Sequence, residues 1–170
     1  MKLTALIVLL TSFSAFGQTI EESYLMAEDL FEAQNYTAAK VTYERVIYFS
    51  ENNEQKRQCY LQMAKCHLAL DQPNKGFKAL DAAIILTENT SAKNDLILYK
   101  SLKLTEAKFW FKAQEELYSV VNPTGNQKEL KNYLLAVALF GSADFDKSKM
   151  YFLRINEASD SLQIEEIFRK

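Results

Sequence analysis

Apolar and polar positions follow one another along this chain with helical rather than strand periodicity, and one short stretch shows the form. In NYTAAKVTYERV, Asn35 to Val46, larger side chains stand at Tyr36, Tyr43 and Val46 around the small residue Ala39. Relative to Ala39 these are positions −3, +4 and +7, which make one face of a helix. The face returns around Gly76, Ala113 and Ser148, at successive intervals of 37, 37 and 35 residues. Position −3 holds Tyr36, Pro73, Trp110 and Phe145; position +4 holds Tyr43, Leu80, Leu117 and Phe152; position +7 holds Val46, Ala83, Val120 and Ile155.

Twelve residues before each anchor stands a second small residue, Ala27, Ala64, Ser101 or Ala136, followed three later by Leu30, His67, Leu104 or Leu139. Small side chains on successive helices let antiparallel axes approach closely, where larger ones would hold them apart. Gly76 carries a helix-interior cost of about 1 kcal/mol relative to alanine, which the same close approach explains. The pattern predicts paired helices near 20–34 and 37–50, 55–70 and 74–87, 94–106 and 109–121, and 128–141 and 145–156. Between Asp160 and Arg169, Leu162, Ile164, Ile167 and Phe168 supply apolar positions for a final helix that covers the last pair. Docking of that apolar tail on a partner is the alternative.

Two helices per period, with this order of small and aromatic positions, resemble the tetratricopeptide repeat (TPR). The resemblance runs from about Ile20 to Asn156 and is clearest in LFEAQNYTAAKVTYERVI and LFGSADFDKSKMYFLRI. Pro73 and His67 depart from it, although Pro73 falls in the first turn of its helix, where no donor is lost. The resemblance implies an all-α, right-handed superhelical solenoid of about four helix pairs plus a C-terminal capping helix. Its units would span about 20–53, 57–90, 94–127 and 129–157 within a repeat domain at 18–157, and residues 158–170 would be the cap or tail.

In such repeats the first helices line a concave groove, and the resemblance places side chains there. They are Tyr24, Glu28, Phe31 and Glu32 from the first unit, Leu61, Lys65 and Leu68 from the second, Leu98, Leu102 and Glu106 from the third, and Tyr133, Val137 and Phe140 from the fourth. The set is mainly apolar and aromatic. Clamping of a peptide C-terminal carboxylate is disfavoured, because Tyr24, Glu28, Leu61, Leu98 and Leu102 stand where that mode uses Lys, Asn and Arg. An apolar groove of this kind suits an amphipathic helix or an extended segment with spaced apolar anchors.

Composition and charge narrow the partner. The chain has 170 residues, 48% of them hydrophobic, and a formal charge of −2 from 20 basic and 22 acidic residues mixed along its length. One domain is the default at this size. No extended basic surface exists to neutralise phosphates, which disfavours nucleic acid. Lys2, the apolar run Leu3 to Leu10, and Ala15-Phe16-Gly17 read as a secretory signal peptide at 1–17. Thr11, Ser12 and Ser14 interrupt the run well short of the roughly 20 apolar residues a span needs. No cysteine stands just after the cleavage point, which disfavours a lipoprotein, and no stable membrane insertion is expected after cleavage.

Cys59 and Cys66 are seven apart on a predicted helix, roughly 10 Å from each other and beyond disulfide reach. With His67 they lack the further ligands a zinc site needs, and read as interface packing residues. No phosphate loop, HExxH or GxSxG string occurs. Glu115-Glu116 and Glu165-Glu166 are paired carboxylates on what reads as a solvated helix face. No catalysis, metal or cofactor is expected. The sequence thus points to a noncatalytic adaptor or assembly factor of the bacterial cell envelope, periplasmic or secreted, that binds a protein or peptide through the groove. The alternative is a structural subunit that forms a homo-oligomer through the groove or the tail.

Overall fold

The computed structural model describes residues 19–156. The signal-peptide and tail expectations, at 1–17 and 158–170, lie outside these residues, as do Glu165 and Glu166. Among the described residues the fold is all-α, with eight helices and no strand. They are α1 (Ile20–Glu32), α2 (Tyr36–Phe49), α3 (Asn53–Ala69), α4 (Pro73–Ile85), α5 (Thr90–Glu106), α6 (Trp110–Ser119), α7 (Gly125–Gly141) and α8 (Phe145–Asn156). Each helix packs on its neighbours in chain order, and α5 also meets α7 directly.

Local chemistry sets the helix starts. Thr19 and Glu22 exchange two hydrogen bonds in a capping box at the head of α1. The side chains of Asn35, Asn52 and Asn89 each accept from backbone N–H groups one turn on. Pro73 opens α4. Helices α5 and α7 start four and three residues earlier than the apolar pattern predicts, because Asn89 and Thr124 supply caps ahead of the first apolar position.

The link within each pair takes one conformation four times. Gln34, Asp71, Lys108 and Ala143 have φ of 59°, 55°, 62° and 66°. The residue after each donates back to a helix carbonyl: Asn35 to Leu30 (2.9 Å), Gln72 to His67 (2.8 Å), Phe109 to Leu104 (2.8 Å) and Asp144 to Leu139 (2.9 Å). This is the Schellman termination, which usually takes glycine at the left-handed position. Here side chains occupy all four, against a steric preference of about 1–2 kcal/mol.

The small residues do what their spacing implies. Ala27, Ala39, Ala64, Ser101, Ala113 and Ala136 are fully buried, and Ser148 is nearly so. A Cβ added to Gly76 would lie 3.2 Å from the Ala64 carbonyl oxygen and 3.0 Å from Leu68 Cγ. Ser148 Oγ donates to the Ala136 carbonyl at 2.8 Å. Gly141 answers a second close approach, since its added Cβ would meet the Trp110 indole at 2.5 Å.

Lys100 is the least expected interior residue. Its side chain is 8% exposed and pairs with Asp81 of α4 and Glu116 of α6. Burial alone would lower its pKa, and the two carboxylates outweigh that and raise it. Glu116, expected on a solvated face, is instead a half-buried partner of this lysine.

Candidate interaction site

Helices α1 and α3, the first helices of two neighbouring pairs, lie side by side, as do α5 and α7. Tyr24 Oη donates to Gln58 at 3.5 Å, Gln55 Nε2 to Glu21 at 3.4 Å, and Gln62 Nε2 to Glu28 at 3.3 Å. Each rung joins residues 34 apart, in the same order along both helices, so α1 and α3 run parallel. Glu28 also accepts from Tyr43 Oη at 2.5 Å, tying α2 into the same network. Burial pushes the Tyr24 hydroxyl up to about 12, and Glu28 adds to the shift. Burial and the bond to Glu28 hold the Tyr43 proton more tightly still. Further along, Gln127 of α7 donates to Asp95 Oδ1 at 2.7 Å and to the Ser91 carbonyl at 3.0 Å, locking α7 to α5.

Between α3, α5 and the start of α7 the surface sinks into a depression of about 550 Å³. Leu61, Lys65, Leu98 and Tyr99 wall it with Leu130, and Asp95 and Gln127 stand at its polar side. A second depression of about 410 Å³, lined by Lys65, Leu68, Tyr99, Lys103 and Glu106, adjoins it. Lys65 and Tyr99 belong to both. The Lys103 ammonium lies 5.8 Å from the Tyr99 ring centroid and pairs with Glu106 at 2.8 Å. Among the described residues Lys65 forms no ion pair. An apolar floor, one uncompensated cation and a few amide and carboxylate groups can orient a docked segment.

The expected groove residues separate into groups. Leu61, Lys65, Leu68 and Leu98 gather at the two depressions, although Leu98 is only 2% exposed and serves as floor rather than as a free contact. Tyr24 and Glu28 spend their polar atoms on α2 and α3. Phe31 is half-buried, with its ring edge-on to Tyr36 at 5.5 Å. Leu102 and Tyr133 pack against the core cluster of α5 and α7. Val137 is half-buried, and Phe140 is 61% exposed beside Phe145. Tyr99 was absent from the expected set because it stands two before Ser101, a position the family groove pattern does not use.

The two cysteines and the histidine lie in the packed interior. Cys59 and Cys66 are free and buried. Burial pushes their thiols up to about 12 and about 11, away from the reactive thiolate. His67 is buried at its packing position, with Nδ1 3.0 Å from Gln72 Oε1. No group of three or more potential metal ligands occurs among the described residues, and no helix there is long and apolar enough to cross a membrane. Comparison with models of known protein families, with curated proteins and with solved structures finds no match.

Proposed function

We propose that this chain is an exported TPR-like protein, a right-handed superhelical stack of about four helix pairs that works by binding another protein. Its role is noncatalytic, as an adaptor or assembly factor of the bacterial cell envelope. The observation that carries the binding reading is the joined pair of depressions around Lys65 and Tyr99, built from three first helices and offering apolar walls beside an unpaired cation. The fitting partner segment carries spaced apolar side chains and a carboxylate that reaches Lys65. The repeated intra-pair turn and the buried small residues support the family reading.

Crosslinking and recovery of partners from the envelope fraction tests both export and binding. Leu61→Asp with Tyr99→Ala is expected to abolish recovery while leaving the helical circular-dichroism signal in place. Full recovery by a folded double variant would show that binding uses another surface.

A further inference from the structure

Successive first helices meet in register, and that register singles out one junction of the stack. The small residues Ala27, Ala64 and Ser101 stand 37 apart, and Ala136 follows 35 later. Equivalent partners are therefore 34 apart at the first two junctions and 32 apart at the third, the separations of Glu28 from Gln62 and of Asp95 from Gln127. Between α1 and α3, hydrogen bonds join Glu21 to Gln55, Tyr24 to Gln58 and Glu28 to Gln62 at this offset. Between α5 and α7, Asp95 accepts from Gln127, and the next two pairs, Leu98 with Leu130 and Leu102 with Leu134, belong to one apolar cluster. The α3–α5 junction breaks the pattern. There the offset sets Leu61 opposite Asp95 and Lys65 opposite Tyr99, an apolar side chain against a carboxylate and an ammonium against a phenol. Among the described residues no hydrogen bond or ion pair joins α3 to α5. Both pairs line the depression of about 550 Å³, so the gap opens where the side chains fail to match. Lys65 has no counter-charge, and Asp95 gives one oxygen to Gln127 while the other has no bond among the described residues.

Building on the binding role of these depressions, we propose that the α3–α5 junction takes a short extended segment of the partner with the pattern basic-x-acidic. Its basic side chain lays an apolar stem along Leu61 and sets its charge on Asp95. Its acidic side chain meets Lys65 and the Tyr99 hydroxyl. Leu61 and Lys65 stand four apart, which is about 6 Å along α3. Alternate residues of an extended chain are about 6.6 Å apart and point the same way, so they fall on successive pairs. A helix making two turns across the same pairs is a cylinder of about 850 Å³ or more. That is too bulky for a depression of about 550 Å³. Extended backbone also offers N–H and C=O groups to the unbonded polar atoms here, whereas a helix has already used its own. The flanking junctions are closed by their own side chains, which confines the partner's footprint to this one place.

The test titrates the full chain with the end-capped peptides Ala-Arg-Ala-Glu-Ala and Ala-Glu-Ala-Arg-Ala, one order for each direction along α3, and reads amide shifts by NMR. Saturable shifts at Leu61, Lys65, Asp95 and Tyr99 with at least one peptide, and none in α1, are expected. Changing the glutamate of the bound peptide to alanine should weaken it about tenfold. A Lys65→Glu chain should lose affinity for that peptide and regain it when the peptide's glutamate becomes lysine. Proline in place of the central alanine should leave binding intact, because it suits extended backbone and breaks a helix. No saturable shift with either peptide would overturn the proposal, as would equal affinity of the Lys65→Glu chain for the glutamate and lysine peptides. Loss of binding with the proline peptide would also overturn it, by making a helix the occupant. Partner recovery that Leu61→Asp with Tyr99→Ala abolishes would, in each of these cases, leave the binding role itself standing.

Discussion

Two corners of the molecule join three consecutive helices through one charged side chain, and they balance that charge by opposite means. At α1, α2 and α3 the Glu28 carboxylate accepts from neutral donors, Tyr43 and Gln62. At α4, α5 and α6 the Lys100 ammonium is held by two carboxylates, Asp81 and Glu116. The first arrangement leaves its partners intact if the charge is lost. In the second, removing the cation leaves two like charges side by side, which makes the corner strong and brittle.

The largest effect is therefore expected from Lys100→Ala, a loss of about 3 kcal/mol in urea unfolding. A loss no greater than that of an exposed salt bridge would erase the contrast between the corners. The next is alkaline. Cys59 and Cys66 are raised from 9.0 to about 12 and about 11, so the unfolded chain gives up those protons first. Their stability contribution is whole below pH 9 and declines as pH climbs through the folded values.

Tyr43 and Lys100, also raised, extend the decline above their ordinary values of 10.0 and 10.5. A Cys59→Ala, Cys66→Ala chain should hold its pH 9 stability, relative to its own neutral value, up to about pH 10. Tyr43→Phe should cost about 1 kcal/mol, since Gln62 still donates to Glu28. Smallest is Glu116→Gln, about 0.5 kcal/mol and reduced further in salt, because Asp81 remains on Lys100.

The helix pairs were readable because a small residue at a fixed interval leaves few explanations other than close approach. Ala64 with Gly76 and Ala136 with Ser148 meet as the spacing implied. Helix starts were less readable at α5, where TSAK at 90–93 offers polar and small residues and the start depends on the Asn89 cap. Of the site, Leu61, Lys65 and Leu68 could be placed from register. Tyr99 could not, because its access depends on how α3 and α7 flank it. Lys100 and Glu116 were hidden by type: a lysine or a glutamate on a helix reads as solvated until a partner on another helix brings it inside.

Because each described helix settles mainly on the ones next to it in the chain, most of its contacts come from residues close in sequence. Such local wiring favours rapid folding, on the order of microseconds to milliseconds for helical domains of low contact order. Growth of the nascent chain would then add finished hairpins one by one. Mechanical pulling on the two ends should peel those hairpins off in steps instead of rupturing the molecule at once.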